Sequence, residues 1–103
     1  MYNPFKEIIE EEHRDHDLIQ KSLAGDRDAL ESLILRHQSW IYNIALRMLC
    51  DQIDAEDVTQ EVLVKVITKL ALYNPDLCAF RTWIYRITAN HIINWKNNKK
   101  ETL

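Results

Sequence analysis

The chain has 103 residues, of which 47% are hydrophobic and 28% charged, and its formal net charge is −3. One glycine and two prolines are too few for the turns of an all-β domain. The chain contains neither an apolar run of about 18 residues that could span a membrane nor the apolar segment of a signal peptide. We therefore predict one all-α domain, a compact bundle of three to four helices, located in the cytoplasm and not inserted into a membrane.

The first part of the chain is predicted to be an N-terminal arm or short helix over residues 1–13, followed by a helical domain over residues 14–103. Residues 17–24 have apolar side chains at helical spacing, and Gly25 suits a left-handed helix end. Asp26 can then cap a long helix that continues to about residue 50. The apolar residues of that helix recur at i, i+3, i+4 and i+7, which places them on one face.

Cysteines and histidines give no strong indication of a metal site. Cys50 and Cys78 lie in apolar stretches and are predicted to be buried free thiols, with a disulfide or a metal pair as the alternative. His13 and His16 are one helical turn apart, but no third ligand lies near them in sequence, so both are expected on the surface. We expect no metal or other cofactor.

An acidic segment begins the next predicted helix. Asp54 restarts the helical pattern, and Glu56 and Asp57 fall in its first turn, where acids suit the positive end of the helix. The buried face is predicted from aliphatic residues at steps of four: Val58, Val62, Val66 and Leu70. The acids, including Glu61, form either a solvated cluster or a docking surface for a basic helix. A catalytic or metal role lacks supporting residues nearby.

A loop at residues 73–76 precedes the last predicted helix, which begins near Ala79 and continues past Lys96. Residues 81–100 contain no acid, and their aromatic side chains alternate with basic and amide ones: Arg81, Trp83, Tyr85, Arg86, Asn90, Asn94, Trp95 and Lys96. Cations neutralise phosphates, amides recognise base edges, and aromatic rings stack on unpaired bases. A core helix with a solvated basic face is the alternative, and the pattern alone does not decide between the two.

Taken together and in order, three motifs resemble the second conserved region of bacterial sigma factors. The resemblance is greatest to the extracytoplasmic-function (ECF) group of the sigma-70 family. The motifs are LAGD at residues 23–26 with Ala29 and Leu30, DAEDVTQEV at residues 54–62, and FRTWIYRI at residues 80–87 with Asn90.

The resemblance implies a transcription initiation factor that is not an enzyme. It implies that the acidic helix contacts the clamp helices of the β′ subunit of RNA polymerase core through Asp54, Glu56, Asp57, Gln60 and Glu61. It implies that the loop receives a base flipped out of the single-stranded minus-ten element through Tyr73, Asn74 and Asp76. The last helix would contact and separate the promoter strands through Arg81, Trp83, Arg86, Asn90 and Lys96.

Two further expectations come from the resemblance. An anti-sigma protein is an expected partner, and the family's C-terminal domain, which recognises the minus-thirty-five element, is expected to be absent from a fragment that ends at Leu103. Two other classes stay open. One is a helix-turn-helix regulator that binds duplex DNA, and the other is a protein–protein adaptor that does not contact DNA.

Overall fold

The structure, a computed structural model, describes residues 2–101, and these form four α-helices and one short 3₁₀ turn without any strand. The helices and the turn are α1 (Pro4–Leu23), α2 (Arg27–Leu49), α3 (Gln52–Lys69), the 3₁₀ turn (Leu70–Leu72) and α4 (Phe80–Glu101). The predicted all-α bundle is therefore confirmed. None of these helices is long and apolar enough to cross a membrane. Met1 and residues 102–103, which belong to the predicted segments, lie outside the described part of the chain.

Helix α1 is longer than predicted. The sequence suggested a short helix at residues 17–24 after a separate segment, but one helix begins at Pro4 and continues to Leu23. The side chain of Asn3 accepts a hydrogen bond from the Phe5 amide and caps the helix. Because no glycine or proline follows Pro4 until Gly25, nothing interrupts the helix between the two predicted segments.

Helices α2 and α3 begin at aspartate caps. Asp26 caps α2 as predicted, and Gly25 before it has a φ of 100°, which confirms the predicted left-handed position. The start of α3 was predicted at Asp54, but the carboxylate of Asp51 caps the helix by accepting a hydrogen bond from the Asp54 amide. The helix therefore begins at Gln52, and only Asp54 of the predicted acids lies in its first turn.

The core lies between α2, α3 and α4, and all four residues of the aliphatic stripe predicted for α3 are buried. On α4, the buried positions follow steps of four: Phe80, Ile84, Thr88 and Ile92. Thr88 is tolerated there because its hydroxyl donates a hydrogen bond to the Ile84 carbonyl at 2.8 Å. Helices α2 and α4 each contact all of the other helices, and the contacts of α2 are the more extensive.

Both cysteines are free, but the prediction that both are buried was wrong. Cys50 is exposed and ends α2 in the left-handed conformation, with φ 54° and ψ 31°. Its position beyond the last turn of the helix turns the thiol away from the core, although the neighbouring sequence is apolar. Cys78 is half-buried in the loop before α4.

Replacing Cys50 by glycine should stabilise the protein by about 1 kcal/mol, since a β-carbon in the left-handed region costs roughly 1–2 kcal/mol and glycine loses more chain entropy on folding. The Cys50→Ala variant keeps the β-carbon and provides the matched control. Urea denaturation under reducing conditions measures both variants. Equal stability of the two variants would show that the conformation of residue 50 is not strained.

Candidate functional surfaces

The acids predicted to contact polymerase lie along the outer side of α3. Asp57, Gln60 and Glu61 are exposed and are spaced at i, i+3 and i+4, so they share one face of the helix. Glu56 is exposed at the edge of this face, and Asp54 is half-buried at its beginning. The structure therefore brings the predicted set together on one helix.

The same side of α3 also carries exposed aliphatic side chains, which the sequence pattern did not predict. Ile53 is 72% exposed and Val64 59% exposed, and Ile67 nearby is 40% exposed. Ile53 and Val64 share the face of Asp57 and Gln60 at i, i+4, i+7 and i+11. Exposed apolar residues bordered by polar ones are typical of protein interfaces. We call Ile53, Asp57, Gln60, Glu61 and Val64 the α3 outer face.

Two of the predicted acids are held by side chains of α4. The Nε2 atom of His91 lies 2.6 Å from a carboxylate oxygen of Glu61. The Nζ atom of Lys99 donates a hydrogen bond to Asp54 at 3.4 Å. Helices α3 and α4, which carry the two predicted binding surfaces, are thus joined by polar contacts as well as through the core.

The residues of α4 predicted to contact DNA form two groups. Trp83, Arg86 and Asn90 are spaced at i, i+3 and i+7 and share one face, on which Arg86 and Asn90 are exposed. Trp83 is half-buried and stacks on Phe80 with 5.6 Å between ring centroids. Arg81 and Lys96 project from a second face of the helix, so the five residues do not form a single row.

The exposed Arg81 contacts one aromatic ring and one carboxylate. The guanidinium carbon lies 4.6 Å from the centroid of the Trp40 ring, and a guanidinium nitrogen lies 3.8 Å from the Glu11 carboxylate. The Trp40 ring is in turn 6.4 Å from that of Tyr85. Trp40, which sequence analysis did not single out, therefore adds an aromatic ring from α2 to the cationic surface of α4.

The loop before α4 lines a cavity with a volume of about 510 Å³. Tyr73 and Asp76 from the loop and Arg81 from α4 contribute to this cavity. Asn74 does not line it, but its side chain accepts a hydrogen bond from the Asp76 amide at 2.9 Å and so shapes the loop. Asn90 lies outside the lining, about 15 Å along the helix from Phe80 at 1.5 Å per residue.

Tyr73 is fixed in this loop by its hydroxyl group, which donates a hydrogen bond to the Cys78 carbonyl at 2.7 Å. Burial, followed by electrostatic interactions with Cys78, Glu12 and Asp15, raises the pKa of Tyr73. The phenol therefore stays neutral at physiological pH and offers an aromatic surface without charge.

Helix α1 provides the opposite side of the same cavity. This was not predicted, because an arm or a separate short helix was expected there. Its contributing side chains include Ile8, Glu11, Glu12 and Asp15. His13 and His16 also border the cavity and are exposed, as predicted. In the described part of the chain, no group of three or more His, Cys, Asp or Glu side chains could hold a metal ion.

Asp15 anchors α1 to α2 and is only 5% exposed. Its carboxylate accepts hydrogen bonds from Nε of Arg36 at 3.0 Å and from Nε2 of His37 at 2.9 Å. Burial is the largest single influence and raises the pKa of Asp15, but the hydrogen bonds and charges of His37 and Arg36 together lower it below its ordinary value. The carboxylate is therefore ionised, and its Oδ1 atom contacts both side chains of α2, which fixes the position of α1 beside the loop.

The described residues thus form a four-helix bundle with an acidic outer face on α3 and a basic, aromatic last helix. Residues 33–102 match the family described as Sigma-70 region 2, and the chain belongs to this family. The resemblance inferred from the three motifs is thus confirmed.

The relatives of the chain are extracytoplasmic-function sigma factors and similar proteins. It is 34% identical over 79 residues to the RNA polymerase sigma-H factor of Pseudomonas aeruginosa, covering 77% of this chain and 40% of that protein. It is 31% identical over 87 residues to the ECF RNA polymerase sigma-E factor of Escherichia coli K12, covering 84% of this chain and 44% of that protein. The chain therefore spans about two-fifths of the length of these curated relatives.

A solved structure has the same fold. It is the NMR complex of an engineered region 2 of sigmaE with GTAAAA, and its TM-score to this chain is 0.78 at 28% sequence identity. The match covers 86% of this chain and 92% of the other.

Proposed function

We propose that this domain binds RNA polymerase core through α3, and that it binds and stabilises the opened minus-ten promoter strand through α4 and the loop before it. The observation that carries the proposal is the separation of two chemically different surfaces on one bundle. The α3 outer face is acidic and aliphatic, whereas most exposed residues of α4 are basic, amide or aromatic.

The polymerase contact is supported by the chemistry of α3. Asp57 and Glu61 complement a basic partner, and the exposed Ile53 and Val64 supply apolar area between charged groups. The clamp helices of the β′ subunit are the proposed partner. A cytoplasmic location follows from this assignment, since the polymerase acts there, and an anti-sigma protein stays an expected further partner.

The DNA contact requires no chemical step. Opening a duplex costs on the order of 1.4 kcal/mol per stacked base step. Stacking of unpaired bases on aromatic rings stabilises only the opened strand, so differential binding shifts the closed-to-open equilibrium. The similar region 2 of sigmaE forms a complex with GTAAAA. A single strand containing this sequence is therefore a suitable first probe for this chain.

In the presence of polymerase core, the domain should bind a labelled single strand that contains GTAAAA at least about tenfold more tightly than the matching duplex. Binding should weaken steeply as salt rises, because phosphate contacts release counterions. Arg86→Glu should weaken it by about tenfold, and Arg47→Glu, at an exposed position near the end of α2, is the control. Fluorescence anisotropy measures each affinity.

Two outcomes would favour the alternative classes. Equal or tighter binding of the duplex would indicate a helix-turn-helix regulator. If no DNA binds under any condition with polymerase supplied, a protein–protein adaptor is the better description.

A further inference from the structure

We infer that a groove between α2 and α3 binds one arginine side chain of the basic partner that contacts the α3 outer face. The inference rests on the proposed function, because it concerns the same polymerase contact and extends that contact from α3 onto α2. The groove has a volume of about 270 Å³. Pockets that hold small-molecule ligands are usually larger, so this groove suits a single side chain.

The groove adjoins the α3 outer face. Gln60 belongs to both, and Glu56, at the edge of the outer face, also lines the groove. The lining residues of α2 follow at i, i+1, i+4 and i+5, so they share one side of that helix: Gln38, Ser39, Tyr42 and Asn43. A helix bound along the outer face of α3 can therefore place a long side chain in the groove.

The polar side chains of the groove are available to a partner. Among the described residues, its carboxylate and amide side chains have no hydrogen-bond or ion-pair partner: Gln38, Asn43, Glu56 and Gln60. The neighbouring Glu61, by contrast, contacts His91. The groove is thus a polar site whose hydrogen-bonding groups are not used within the fold.

These groups match a guanidinium better than other side-chain ends. The Glu56 carboxylate can accept two parallel hydrogen bonds from a guanidinium, and the amide oxygens beside it can accept others. Tyr42, which is half-buried, adds an aromatic ring on which a guanidinium can stack. A lysine ammonium lacks the planar fork that these contacts require.

Other occupants fit less well. An acidic side chain would meet the charge of Glu56, and an apolar one would remove water from the amides without replacing their hydrogen bonds. An arginine held in a pocket at an interface is a common source of binding energy. The groove would therefore add an arginine-specific contact to the general charge attraction of the α3 outer face.

The test is a double-mutant cycle between the whole chain and a purified clamp-helix fragment of the β′ subunit. Each arginine of the fragment is replaced in turn by lysine, which keeps the charge. At one position, this replacement should weaken binding by about tenfold, the effect of losing hydrogen bonds to a charged group. With the Glu56→Gln chain, the same replacement should cost about threefold or less. Isothermal titration calorimetry measures each affinity.

Asp57→Asn is the matched control, because Asp57 lies on the α3 outer face but outside the groove. It should weaken binding of every fragment by the same factor and leave the arginine-to-lysine ratio at about tenfold. Asn43→Ala, at an exposed position of α2, should lower this ratio. Tyr42→Leu should lower it too, and urea denaturation verifies folding, since Tyr42 also packs against the core.

The possible failures can be told apart. If every arginine of the fragment tolerates lysine while the parent chain binds the fragment, the groove holds no arginine and the proposed function stands. If the sensitive arginine couples to Asp57 and not to Glu56, or if neither α2 variant changes the ratio, the contact lies on α3 alone and the inference is overturned. If the parent chain does not bind the fragment, the proposed clamp-helix contact fails, and the inference fails with it.

Discussion

Replacing Asp57 and Glu61 together by lysine is expected to weaken binding to the β′ clamp helices by about 100-fold or more. Close charge pairs across interfaces contribute roughly 1.5–7 kcal/mol each, and about 2.8 kcal/mol corresponds to 100-fold in affinity. Both carboxylates lie on the α3 outer face and are exposed. Their reversal should therefore place like charges against a basic partner without removing any core contact.

The single variant Asp57→Lys tests docking to the clamp helices without changing the contact between Glu61 and His91. It should weaken binding by about tenfold. Glu31→Lys, at an exposed position of α2, is the matched control. Affinities are measured with a purified clamp-helix fragment, and circular dichroism verifies that helicity is kept. Undiminished capture of the fragment by the double variant would mean that the polymerase contact lies elsewhere.

Replacing Asp15 by alanine is expected to destabilise the protein by about 3 kcal/mol, because removing one partner of a buried ion pair leaves the other without compensation. Here Arg36 and His37 both lose the carboxylate that they share. Since these contacts fix α1 to α2, the variant should also lose the α1 wall of the cavity. Urea denaturation gives the free energy of unfolding. Asp17→Ala, which breaks only the exposed pair with Lys21, should cost less than about 0.5 kcal/mol.

The Asp15 contacts also predict how stability depends on pH. Because folding lowers the pKa of Asp15, its stabilising effect is present above the ordinary aspartate pKa of about 3.9. It is lost as the pH falls through the lower pKa of the folded state. The difference in unfolding free energy between the parent protein and Asp15→Ala should therefore shrink in acid. A difference that is constant down to strongly acidic pH would show that the carboxylate is not stabilised in its ionised form.

Local sequence signals predicted most of the helices and much of the candidate surfaces. Gly25 and Asp26 mark a helix boundary through their own backbone and side-chain preferences. The step of four residues from Val58 to Leu70 identifies the buried side of α3, and hence its outer side. The exposure of Ile53 was detectable by the same reasoning, since this residue lies opposite the aliphatic stripe.

The remaining features depend on contacts between distant parts of the chain. The burial of Asp15 is possible only because Arg36 and His37 lie beside it, although they are more than 20 residues away in sequence. The cavity likewise needs α1 to pack beside the loop before α4, which no local pattern specifies. Cys50 is the opposite case. The short connection between α2 and α3 forces this residue into the left-handed conformation, which a cysteine disfavours.

The imidazole of His91 on α4 contacts the carboxylate of Glu61 on α3. This contact joins the proposed promoter-binding helix to the proposed polymerase-binding surface. A polymerase cation that binds the same carboxylate oxygen competes with the ring, and the two contacts then belong to one free-energy cycle. The factor by which bound polymerase changes the affinity of the domain for DNA must equal the factor by which bound DNA changes its affinity for polymerase. This one hydrogen bond would therefore couple polymerase binding to promoter binding.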